Sequence, residues 1–347
     1  MIPFIKPQKP DVAFFNQLLS NSITQNHYSN FGPNERCLKQ KFTELTGISN
    51  LVLTCNATVA LEGLHAILSR RCGVAYLPSF TFPATNQGCL VSSIYGNTID
   101  SSLDIGRTKW NYSVTTNSLD SYAITVNPFG STNAVCDRPS GVSFWVVDNA
   151  AGFLSQAEDW LDMGADAVVY SLHATKILSA CEGGVVFFKN TKLYEEYLEY
   201  INFGFKALPD GSRIVQHQGS NHKMSELSAA WCLMSLYHYH EEITIRRKIA
   251  SAYDAFCKAN AIPCIPSLQA FWMLGKHTSN SIQKFGIQNG VDFRPYYQKL
   301  PLDNSGCKVT QLFTSKGFCL PTRSTLEDEE VAHILKVLDK AKALDLV

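Results

Sequence analysis

One lysine of this chain lies in a polar loop that joins two apolar runs. The segment 167–176 reads AVVYSLHATK, and residues 182–184 (EGG) then lead into a second apolar run at 185–188. Functional side chains of parallel sheets gather at the carboxyl ends of the strands. A lysine at such a place can form a Schiff base with an aldehyde once burial or a neighbouring charge lowers its pKa. Lys176 is therefore a candidate catalytic residue, although a solvated loop lysine would leave the same pattern.

An acidic residue directly follows another apolar run. Asp148 comes after residues 143–147 (SFWVV) and before residues 149–152 (NAAG). A carboxylate at the end of a buried strand can keep the pyridine nitrogen of pyridoxal phosphate (PLP) protonated, which makes the ring an electron sink. The alternative is an aspartate that caps the following loop.

A turn between a predicted strand and a predicted helix offers a third candidate. Residues 55–60 read CNATVA, so small and hydroxyl side chains occupy a helix N-terminus, where free backbone N–H groups can bind a phosphate. An ordinary helix cap by Asn56 or Thr58 is the alternative. Each of the three signals is weak alone. Their order along the chain, a phosphate turn, then an acidic residue, then a lysine, is far more specific.

The elements around these candidates alternate between strands and helices. Short apolar runs predict buried strands, and the first run is followed by Leu61, Leu64, Ile67 and Leu68 at helical spacing. Continuous apolar strands between helices indicate a mostly parallel sheet that helices cover on both faces. The predicted strands lie at 50–55, 74–78, 143–147, 167–170 and 185–188.

The pattern becomes strongly helical after about residue 224. Helices are predicted from Met224 onward and across 243–257, and the capping-box spacing of Ser324 and Glu327 precedes one more near the C-terminus. We therefore expect an α/β fold in two parts. A large PLP-binding domain, with the N-terminal segment, would span 1–235, and a smaller α+β domain would span 236–347.

Composition narrows the classes of function. The 347 residues are 45% hydrophobic and carry 30 basic and 30 acidic side chains, so neither a nucleic acid nor a membrane surface is expected as a partner. The 11 cysteines lack paired CxxC spacing and are interpreted as core residues in a reducing cytoplasm. No secretory signal or membrane span is predicted. His238 and His240 would point to different faces of a helix, so no metal site is expected.

Five motifs together resemble the DegT/DnrJ/EryC1/StrS family of sugar aminotransferases, a branch of the fold-type-I PLP enzymes. The likeness extends from about residue 25 to 330. The motifs are NFGP at 30–33, PSFTF at 78–82, SLHATK with EGG at 171–176 and 182–184, GSNHKMSE at 219–226, and FRPYY at 293–297 after Gly286 and Ile287. The resemblance implies a large domain whose seven-stranded, mostly parallel sheet is flanked by helices, followed by a small α+β domain.

The resemblance also implies a role for each matched position. Lys176 would be the Schiff-base lysine and the proton shuttle, and Asp148 would pair with the pyridine nitrogen of PLP. Asn221 would reach the phosphate of the neighbouring subunit's cofactor, which implies a homodimer with shared active sites. The other cofactor contacts would be Thr58, the backbone of Val59, Phe82 on a ring face and Ser171, and the substrate-binding positions would be Asn30, Gly32, Pro33, His173, Lys223 and Arg294.

One position departs from the family pattern. Three residues after the aspartate, the family commonly has Gln, His or Glu on the other ring face, and here this position is Ala151. The smaller side chain leaves more room over the ring and removes a polar contact with its hydroxyl, so the placement of the substrate is left open. Family members that act as dehydratases have histidine in place of the lysine, whereas this chain keeps Lys176. For His173, ordering of the loop is the alternative to a substrate contact.

The expected reaction is amino transfer from L-glutamate to a nucleotide-linked keto-sugar. The acceptor would be a dTDP- or UDP-linked 4-keto-6-deoxyhexose, and the amino sugar would serve surface polysaccharide biosynthesis. Three alternatives stay open: amino transfer to a 3-keto sugar, a PLP-dependent sugar dehydratase, and a catalytically silent PLP-binding regulator. The short motifs do not distinguish the nucleotide, the sugar or the keto position.

Overall fold

The computed structural model describes residues 1–7, 9–91, 95–99, 101–104, 109–112, 120–132, 136–297 and 306–347. Strands and helices alternate through the first half of the chain, and helices dominate the second half. The strands are β1 (Leu51–Thr54), β2 (Val74–Pro78), β3 (Tyr95–Ile99), β4 (Ser101–Asp104), β5 (Lys109–Tyr112), β6 (Ser121–Val126), β7 (Phe144–Asp148), β8 (Ala167–Ser171), β9 (Gly184–Phe188), β10 (Phe205–Ala207), β11 (Arg213–Val215), β12 (Cys264–Ile265), β13 (Ala270–Leu274) and β14 (Gly317–Pro321).

Several helices begin at polar residues that suit a helix N-terminus. Side chains of Asn56, Asn190, Ser225 and Thr278 each accept a hydrogen bond from the backbone N–H three residues later. Within the described ranges, no helix combines the length and the apolarity that a membrane span requires. The α-helices there are α1 (Val12–Thr24), α2 (Pro33–Thr46), α3 (Ala57–Leu68), α4 (Ala84–Val91), α5 (Ala157–Asp162), α6 (Thr191–Ile201), α7 (Glu226–Leu236), α8 (Tyr239–Ala259), α9 (Ser279–Gln288), α10 (Lys308–Lys316) and α11 (Asp328–Ala343).

Seven strands form the central sheet in the order β1-β9-β8-β7-β6-β2-β3. The neighbours from β8 to β3 pair in parallel, whereas β9 is antiparallel to both β8 and β1. Six strands of this sheet therefore point in one direction, and β9 runs back between two of them. The prediction of an α/β fold with a mostly parallel, seven-stranded sheet is confirmed.

Both faces of the central sheet are buried. Successive residues of a strand point to opposite faces, so neighbours in the sequence pack into different clusters. Val147 and Val168 pack into one apolar cluster, whereas their neighbours Val146 and Val169 pack into a second cluster together with Leu64 of α3. This double burial explains why the strands are continuous apolar runs in the sequence.

The sequence pattern did not indicate β6, which lies between β2 and β7. Ser121 and Thr125 interrupt its apolar run, yet every residue of the strand is buried. Thr125 Oγ1 accepts a hydrogen bond from Trp145 Nε1 at 2.9 Å, so the hydroxyl group has a partner inside the core. The strand brings the residue that follows it, Asn127, to the edge of the sheet where β7 ends.

A three-stranded antiparallel sheet, in the order β12-β13-β14, lies in the C-terminal part of the chain with α8, α9 and α11 around it. This mixture of strands and helices agrees with the α+β character expected there. The expected boundary between residues 235 and 236 falls at the last residue of α7. Because apolar side chains from both parts share one core cluster, as in the edge-on contact of Phe80 with Trp272, the division at this residue stays a prediction.

The expected cap of the last helix at Ser324 is wrong. The helix α11 begins at Asp328 with Glu327 as its N-cap, and the Glu330 carboxylate accepts a hydrogen bond from the Glu327 N–H at 3.2 Å. Ser324 instead donates its hydroxyl hydrogen to the Glu242 carboxylate of α8. Two spacings here suit a capping box, Ser324 with Glu327 and Glu327 with Glu330. Because Ser324 contacts α8, the second pair forms the cap.

Gly184 allows β9 to begin close to the turn that precedes α3. A Cβ atom at this position would lie 2.6 Å from Thr54 Oγ1 and 2.8 Å from the Ala57 nitrogen. Since Gly184 pairs with Thr54 across β1 and β9, no side chain fits there unless the turn moves. The close approach keeps the turn at the start of α3 beside the loop that carries Lys176.

We expect Gly184→Ala to lower the free energy of unfolding by about 1–3 kcal/mol, because the added methyl group must displace backbone atoms. Urea denaturation of the variant and the wild type measures the difference. Gly306→Ala is the matched control, since a Cβ atom there meets no heavy atom of the described residues within 4 Å, and it should stay within about 0.5 kcal/mol of the wild type. An unchanged free energy of unfolding for Gly184→Ala would contradict the close packing.

Candidate active site

A cavity of about 570 Å³ lies at the carboxyl ends of the central strands. Small-molecule sites typically have volumes of about 300–1,000 Å³. Six of the residues singled out in the sequence line this cavity: Thr58, Phe82, Asp148, Ser171, His173 and Lys176. The fold therefore brings together candidates that lie far apart in the chain.

The order of the strands explains why these side chains meet. Asp148 and Ser171 are the last residues of β7 and β8, which are adjacent and parallel. Because β9 runs back beside β8, the loop that carries Lys176 leaves and re-enters the sheet at the same edge. Thr58 lies in the first turn of α3, which follows β1 on the other side of β9.

Hydrogen bonds fix the loop that carries Lys176. The Ala174 N–H donates to the Cys181 carbonyl, and the Lys176 N–H donates to the His173 carbonyl, both at 2.8 Å. Cys181 has a φ angle of 62°, in the left-handed region that residues other than glycine seldom adopt. Nδ1 of His173 lies 3.0 Å from Thr175 Oγ1. His173 thus makes a contact within the loop and also lines the cavity, so its two interpretations are compatible.

Burial changes the acid–base behaviour of Lys176. Removal from water disfavours the ammonium form and lowers the pKa of the Lys176 amine from 10.5 to about 8, although the negative charge of Asp148 acts in the opposite direction. An amine with this pKa is partly neutral near pH 7. It can therefore act as a nucleophile and as a proton carrier.

Asp148 is only 3% exposed, and both of its carboxylate oxygens accept hydrogen bonds. Thr85 Oγ1 donates to Oδ2 at 2.6 Å, and the Ala150 N–H donates to Oδ1 at 3.0 Å. Burial is the largest effect and leaves the pKa of Asp148 above its ordinary value, although the two donors and the charge of Lys176 act in the opposite direction. Since a carboxylate accepts from both donors at once, these contacts favour the ionised form over the acid.

The first turn of α3 is predicted to bind a phosphate, and one of its N–H groups already has a partner within the chain. The Val59 N–H, assigned to a phosphate by the resemblance, donates to Asn56 Oδ1 at 2.9 Å. The alternative interpretation, a helix cap by Asn56, is therefore confirmed. The N–H groups of Ala57 and Thr58 also belong to the first turn, where a helix supplies no acceptor of its own. Together with the Ser171 hydroxyl group, they are the donors at this end of the cavity.

An aromatic ring and a small residue shape the space around these groups. Phe82 lines the cavity and is 55% exposed, so its ring lies at the mouth. Ala151 also lines it, at the position where the family commonly has a larger polar side chain. Gly130, with a φ angle of 67°, packs so closely that a Cβ atom there would overlap the Ala151 carbonyl. Position 130 must be a glycine here, so no side chain from it fills the space beside Ala151.

Two predicted substrate-binding residues, Gly32 and Pro33, form the N-terminus of α2 and lie outside the cavity. Gly32 is the N-cap of this helix and Pro33 is its first residue. The buried carboxylate of Glu226 accepts hydrogen bonds from the backbone N–H groups of Asn34 and Glu35, both at 2.9 Å. A carboxylate at this place stabilises the positive end of the helix. Two of the family motifs thus meet in a structural contact.

Asn221 and Lys223 do not line the cavity either, and nor does Asn30. Asn221 pairs with Asn202 in an antiparallel bridge, and Lys223 Nζ donates to Asn202 Oδ1 at 3.0 Å. The same Nζ lies 4.2 Å from the centre of the Phe203 ring, within the range of a cation–π contact. This segment runs along the surface beside the end of β1.

Arg294 lies outside the cavity as well. Its Nη2 atom forms an ion pair with Asp292 Oδ2 at 2.9 Å, and its guanidinium group lies 5.2 Å from the centre of the Phe4 ring. The next residues of the same loop, Tyr296 and Tyr297, do line the cavity. The loop therefore reaches the site through its tyrosines.

Three polar residues at the site escaped the sequence-based reasoning. Asn127 and Gln269 line the cavity, and Thr85 lies behind Asp148. Asn127 directly follows β6, so the rule that indicated Asp148 would have indicated Asn127 if that strand had been recognised. Thr85 and Gln269 carry no comparable signal, because each reaches the site through tertiary packing.

A half-buried lysine with a lowered pKa and a buried carboxylate lie together at the strand ends of an α/β sheet, as in an enzyme site, and comparison with known proteins identifies the family. The model of the DegT/DnrJ/EryC1/StrS aminotransferase family matches residues 11–339, and the chain belongs to this family.

Two relatives of the chain match it over nine-tenths or more of their own length. Protein MT3510 of Mycobacterium tuberculosis is 27% identical over 98% of this chain and 90% of its own. The dTDP-4-amino-4,6-dideoxy-D-glucose transaminase of Escherichia coli is 24% identical over 97% of this chain and 98% of its own. Among solved structures, the sugar aminotransferase CalS13 from Micromonospora echinospora has a TM-score of 0.80 at 16% identity, with 98% of this chain and 100% of its own covered.

We expect the reaction of Lys176 with an aldehyde to accelerate as the pH rises through about 8, because only the neutral amine attacks a carbonyl. From pH 7 to pH 9 the neutral fraction of such an amine grows about tenfold. Brief incubation of the cofactor-free protein with PLP, borohydride reduction and peptide mapping measure the labelled fraction at each pH. The Lys176→Ala variant is the control. Labelling at another lysine, or a rate that keeps rising above pH 10, would contradict the assignment.

Proposed function

We propose that this protein is a PLP-dependent aminotransferase that moves an amino group from L-glutamate to a nucleotide-linked keto-sugar. The acceptor is a dTDP- or UDP-linked 4-keto-6-deoxyhexose, and the product serves amino-sugar and surface polysaccharide biosynthesis in the cytoplasm. The observation that carries the proposal is the placement of the half-buried Lys176 and the buried Asp148 in the wall of one cavity. The relative from Escherichia coli, whose name describes a dTDP-linked amino sugar, supports the choice of acceptor.

The residues around the cavity fit PLP, on which this family of aminotransferases depends. When bound, PLP supplies an aldehyde that condenses with amines and a ring that takes up the electron pair left on the substrate carbon. The cavity offers an amine for the aldehyde at Lys176, a carboxylate for the ring nitrogen at Asp148, and donors for the phosphate at Thr58 and Ser171. All three chemical features of PLP thus have a partner of the right kind.

Lys176 carries the proton in the proposed reaction. Its amine, with a pKa of about 8, takes a proton from the substrate carbon and returns one to the cofactor side, and a pKa near the working pH suits both directions. Asp148 holds the ring nitrogen in its protonated form. Thr85 and Ala150 keep the carboxylate of Asp148 oriented during these steps.

The remaining cofactor contacts are assigned to the first turn of α3 and to the mouth of the cavity. Thr58 and Ser171 would donate hydrogen bonds to the phosphate, and the Val59 N–H, which donates to Asn56 Oδ1, would join them only in place of that cap. Phe82 covers one face of the ring, since it lines the cavity at its mouth.

Polar groups on the other walls suit a substrate rich in hydroxyl groups. Asn127 Oδ1 and Gln269 Oε1 are buried without a hydrogen-bond partner among the described residues, and both side chains line the cavity. A sugar supplies O–H donors, and satisfying such buried acceptors favours binding. His173 is a third polar contact, and the space beside Ala151 accommodates the sugar ring.

We further propose that the active enzyme is a homodimer with shared sites. Asn221 contacts the phosphate of the partner's cofactor, while Lys223, Asn30 and the turn at Gly32 and Pro33 face the partner's substrate. The support is that none of these residues lines the cavity of its own chain. Arg294, held by its ion pair, stays a predicted substrate contact without structural support.

Exposed apolar side chains near these residues support a covered surface. Phe31 is 38% exposed and lies between Asn30 and Gly32, Phe203 is 48% exposed and contacts Lys223, and Leu227 is 56% exposed and follows Glu226. Phe31 and Phe203 also have positive φ angles of 55° and 62°, which are rare for bulky side chains and occur where the surroundings hold the backbone in place. A partner subunit would remove these rings from water.

We expect the wild-type protein to add an amino group to one member of a panel of nucleotide keto-sugars when L-glutamate is the donor. Lys176→Ala should abolish turnover by several orders of magnitude, because the proton carrier is lost. Mass spectrometry of the products is the measurement. Lys248→Ala, at a lysine 71% exposed, is the control that should keep its activity. Loss of water from the sugar, or cofactor binding without turnover on any sugar, would reject amino transfer.

Mixing two inactive variants tests the shared site. Lys176→Ala removes the lysine, and Asn221→Asp places a carboxylate against the partner's phosphate, which repels it. If sites are shared, each heterodimer has one site with both lesions and one with neither. Activity should return to about a quarter of the wild-type level when subunits exchange at random.

The control for this experiment is subunit exchange itself, followed by mass spectrometry of differently tagged chains. If exchange occurs and activity stays absent, both lesions act within one chain's own site, and the shared-site proposal is wrong. Mixing Lys176→Ala with Asp148→Asn should restore nothing beyond background, since both lesions belong to the same cavity.

A further inference from the structure

A chain of two hydroxyl groups leads from the core to Asp148. Thr81 Oγ1 lies 2.6 Å from Thr85 Oγ1, and Thr85 Oγ1 lies 2.6 Å from Asp148 Oδ2. Thr81 is 1% exposed and Thr85 is fully buried, and neither lines the cavity. These hydroxyl groups therefore have no access to a substrate and act on the site only through Asp148.

The direction of the hydrogen bonds follows from the number of hydrogens. A hydroxyl group has a single hydrogen to donate, and an ionised carboxylate can only accept. Thr85 therefore donates to Asp148, and Thr81 donates to Thr85. Because the Ala150 N–H donates to the other carboxylate oxygen, Asp148 receives a fixed donor on each oxygen.

A buried histidine fixes the backbone of Thr85. Nε2 of His65 lies 3.0 Å from the Thr85 carbonyl oxygen, and Nδ1 lies 2.7 Å from the hydroxyl oxygen of Tyr122. Burial lowers the pKa of His65 to about 4, so the ring is neutral at working pH. Its one N–H is therefore on Nε2 and donates to Thr85, while Nδ1 accepts from Tyr122.

Other titratable groups face Asp148 from separate elements. Lys176 approaches from the loop between β8 and β9, and its charge lowers the pKa of Asp148. Tyr297 approaches from the loop after α9, and burial raises its pKa, so its phenol group stays neutral. The Thr85 hydroxyl group and the Ala150 N–H stabilise the carboxylate whether or not Lys176 carries its charge.

We propose that Thr85 is a positioning residue that holds Asp148 ionised and aimed at the ring nitrogen of the cofactor, with Thr81 supporting it from behind. This inference rests on the proposed function, since it takes Asp148 as the partner of that nitrogen. Without the Thr85 hydroxyl group, the carboxylate binds a proton more strongly, and the proton shared between the ring nitrogen and Asp148 moves to Asp148. One hydrogen bond to a charged group changes such an equilibrium by roughly 10- to 100-fold.

The test compares four variants of the holoenzyme loaded with PLP that carries ¹⁵N in the ring. Thr85→Val removes the hydroxyl group at nearly constant volume, and Thr85→Ser is the matched control that keeps it. Thr81→Val removes the supporting donor. Asp148→Asn is the reference for loss of the partner itself. The ¹⁵N chemical shift of the ring, followed from pH 6 to pH 10, reports whether the nitrogen is protonated and requires no turnover.

We expect a protonated ring nitrogen in the wild type and in Thr85→Ser, and a shift toward the unprotonated form in Thr85→Val. Thr81→Val should shift the signal in the same direction by a smaller amount. If Thr85→Val does not fold, as judged by circular dichroism, the Thr81→Val result decides, and a wild-type signal there overturns the proposal.

Two other outcomes separate this inference from the proposed function. A wild-type signal in Thr85→Val together with a changed signal in Asp148→Asn overturns the role of Thr85 and leaves the role of Asp148 intact. A wild-type signal in both variants shows that Asp148 is not the partner of the ring nitrogen, and the site assignment then fails together with this inference.

Discussion

The site depends on two groups of opposite charge that burial pushes toward their neutral forms. Removal from water lowers the pKa of Lys176 and raises the pKa of Asp148, while the attraction between them counteracts both effects. An isolated ion at such depth would be costly, and fixed hydrogen bonds reduce that cost for the carboxylate. The Thr85 hydroxyl group and the Ala150 N–H supply these bonds to Asp148. Among the described residues, no comparable hydrogen bonds hold the Lys176 amine, and its pKa of about 8 allows it to change protonation state during a reaction.

The central sheet positions Asp148 and the loop that carries Lys176. Parallel strands end at one edge, so Asp148 and Ser171 arrive side by side from β7 and β8. The C-terminal part of the chain closes the cavity over them with Gln269 and Tyr297. The cavity is therefore bounded by two parts of the structure that lie far apart in the sequence, and small movements of one part against the other would change its volume.

Much of this site could be predicted because strand ends in a parallel sheet obey a simple rule. Asp148, Ser171 and Lys176 each follow an apolar run, and the sheet had to bring such positions to one edge. Thr85 could not be found in this way, because its link to Asp148 depends on how α4 packs behind the sheet. Val59 shows a second limit of prediction from sequence, because its N–H donates to Asn56. The N–H groups at a helix N-terminus can bind either a ligand or the cap residue. The strand β6 was missed because Ser121 and Thr125 look polar in sequence, although the core satisfies them.

The reversed direction of β9 affects which substitutions the loop that carries Lys176 can accept during evolution. Both ends of the loop are held on the same edge of the sheet, by Ser171 at one end and Gly184 at the other. Joining two nearby fixed points costs a short peptide little entropy, and the cost grows slowly with added length. Partly buried positions between these anchors, such as His173 and Thr175, can therefore change while the strands keep their register, whereas Leu172, Ile177 and Leu178 pack into the core. Selection can thus alter side chains around position 176 without rebuilding the sheet.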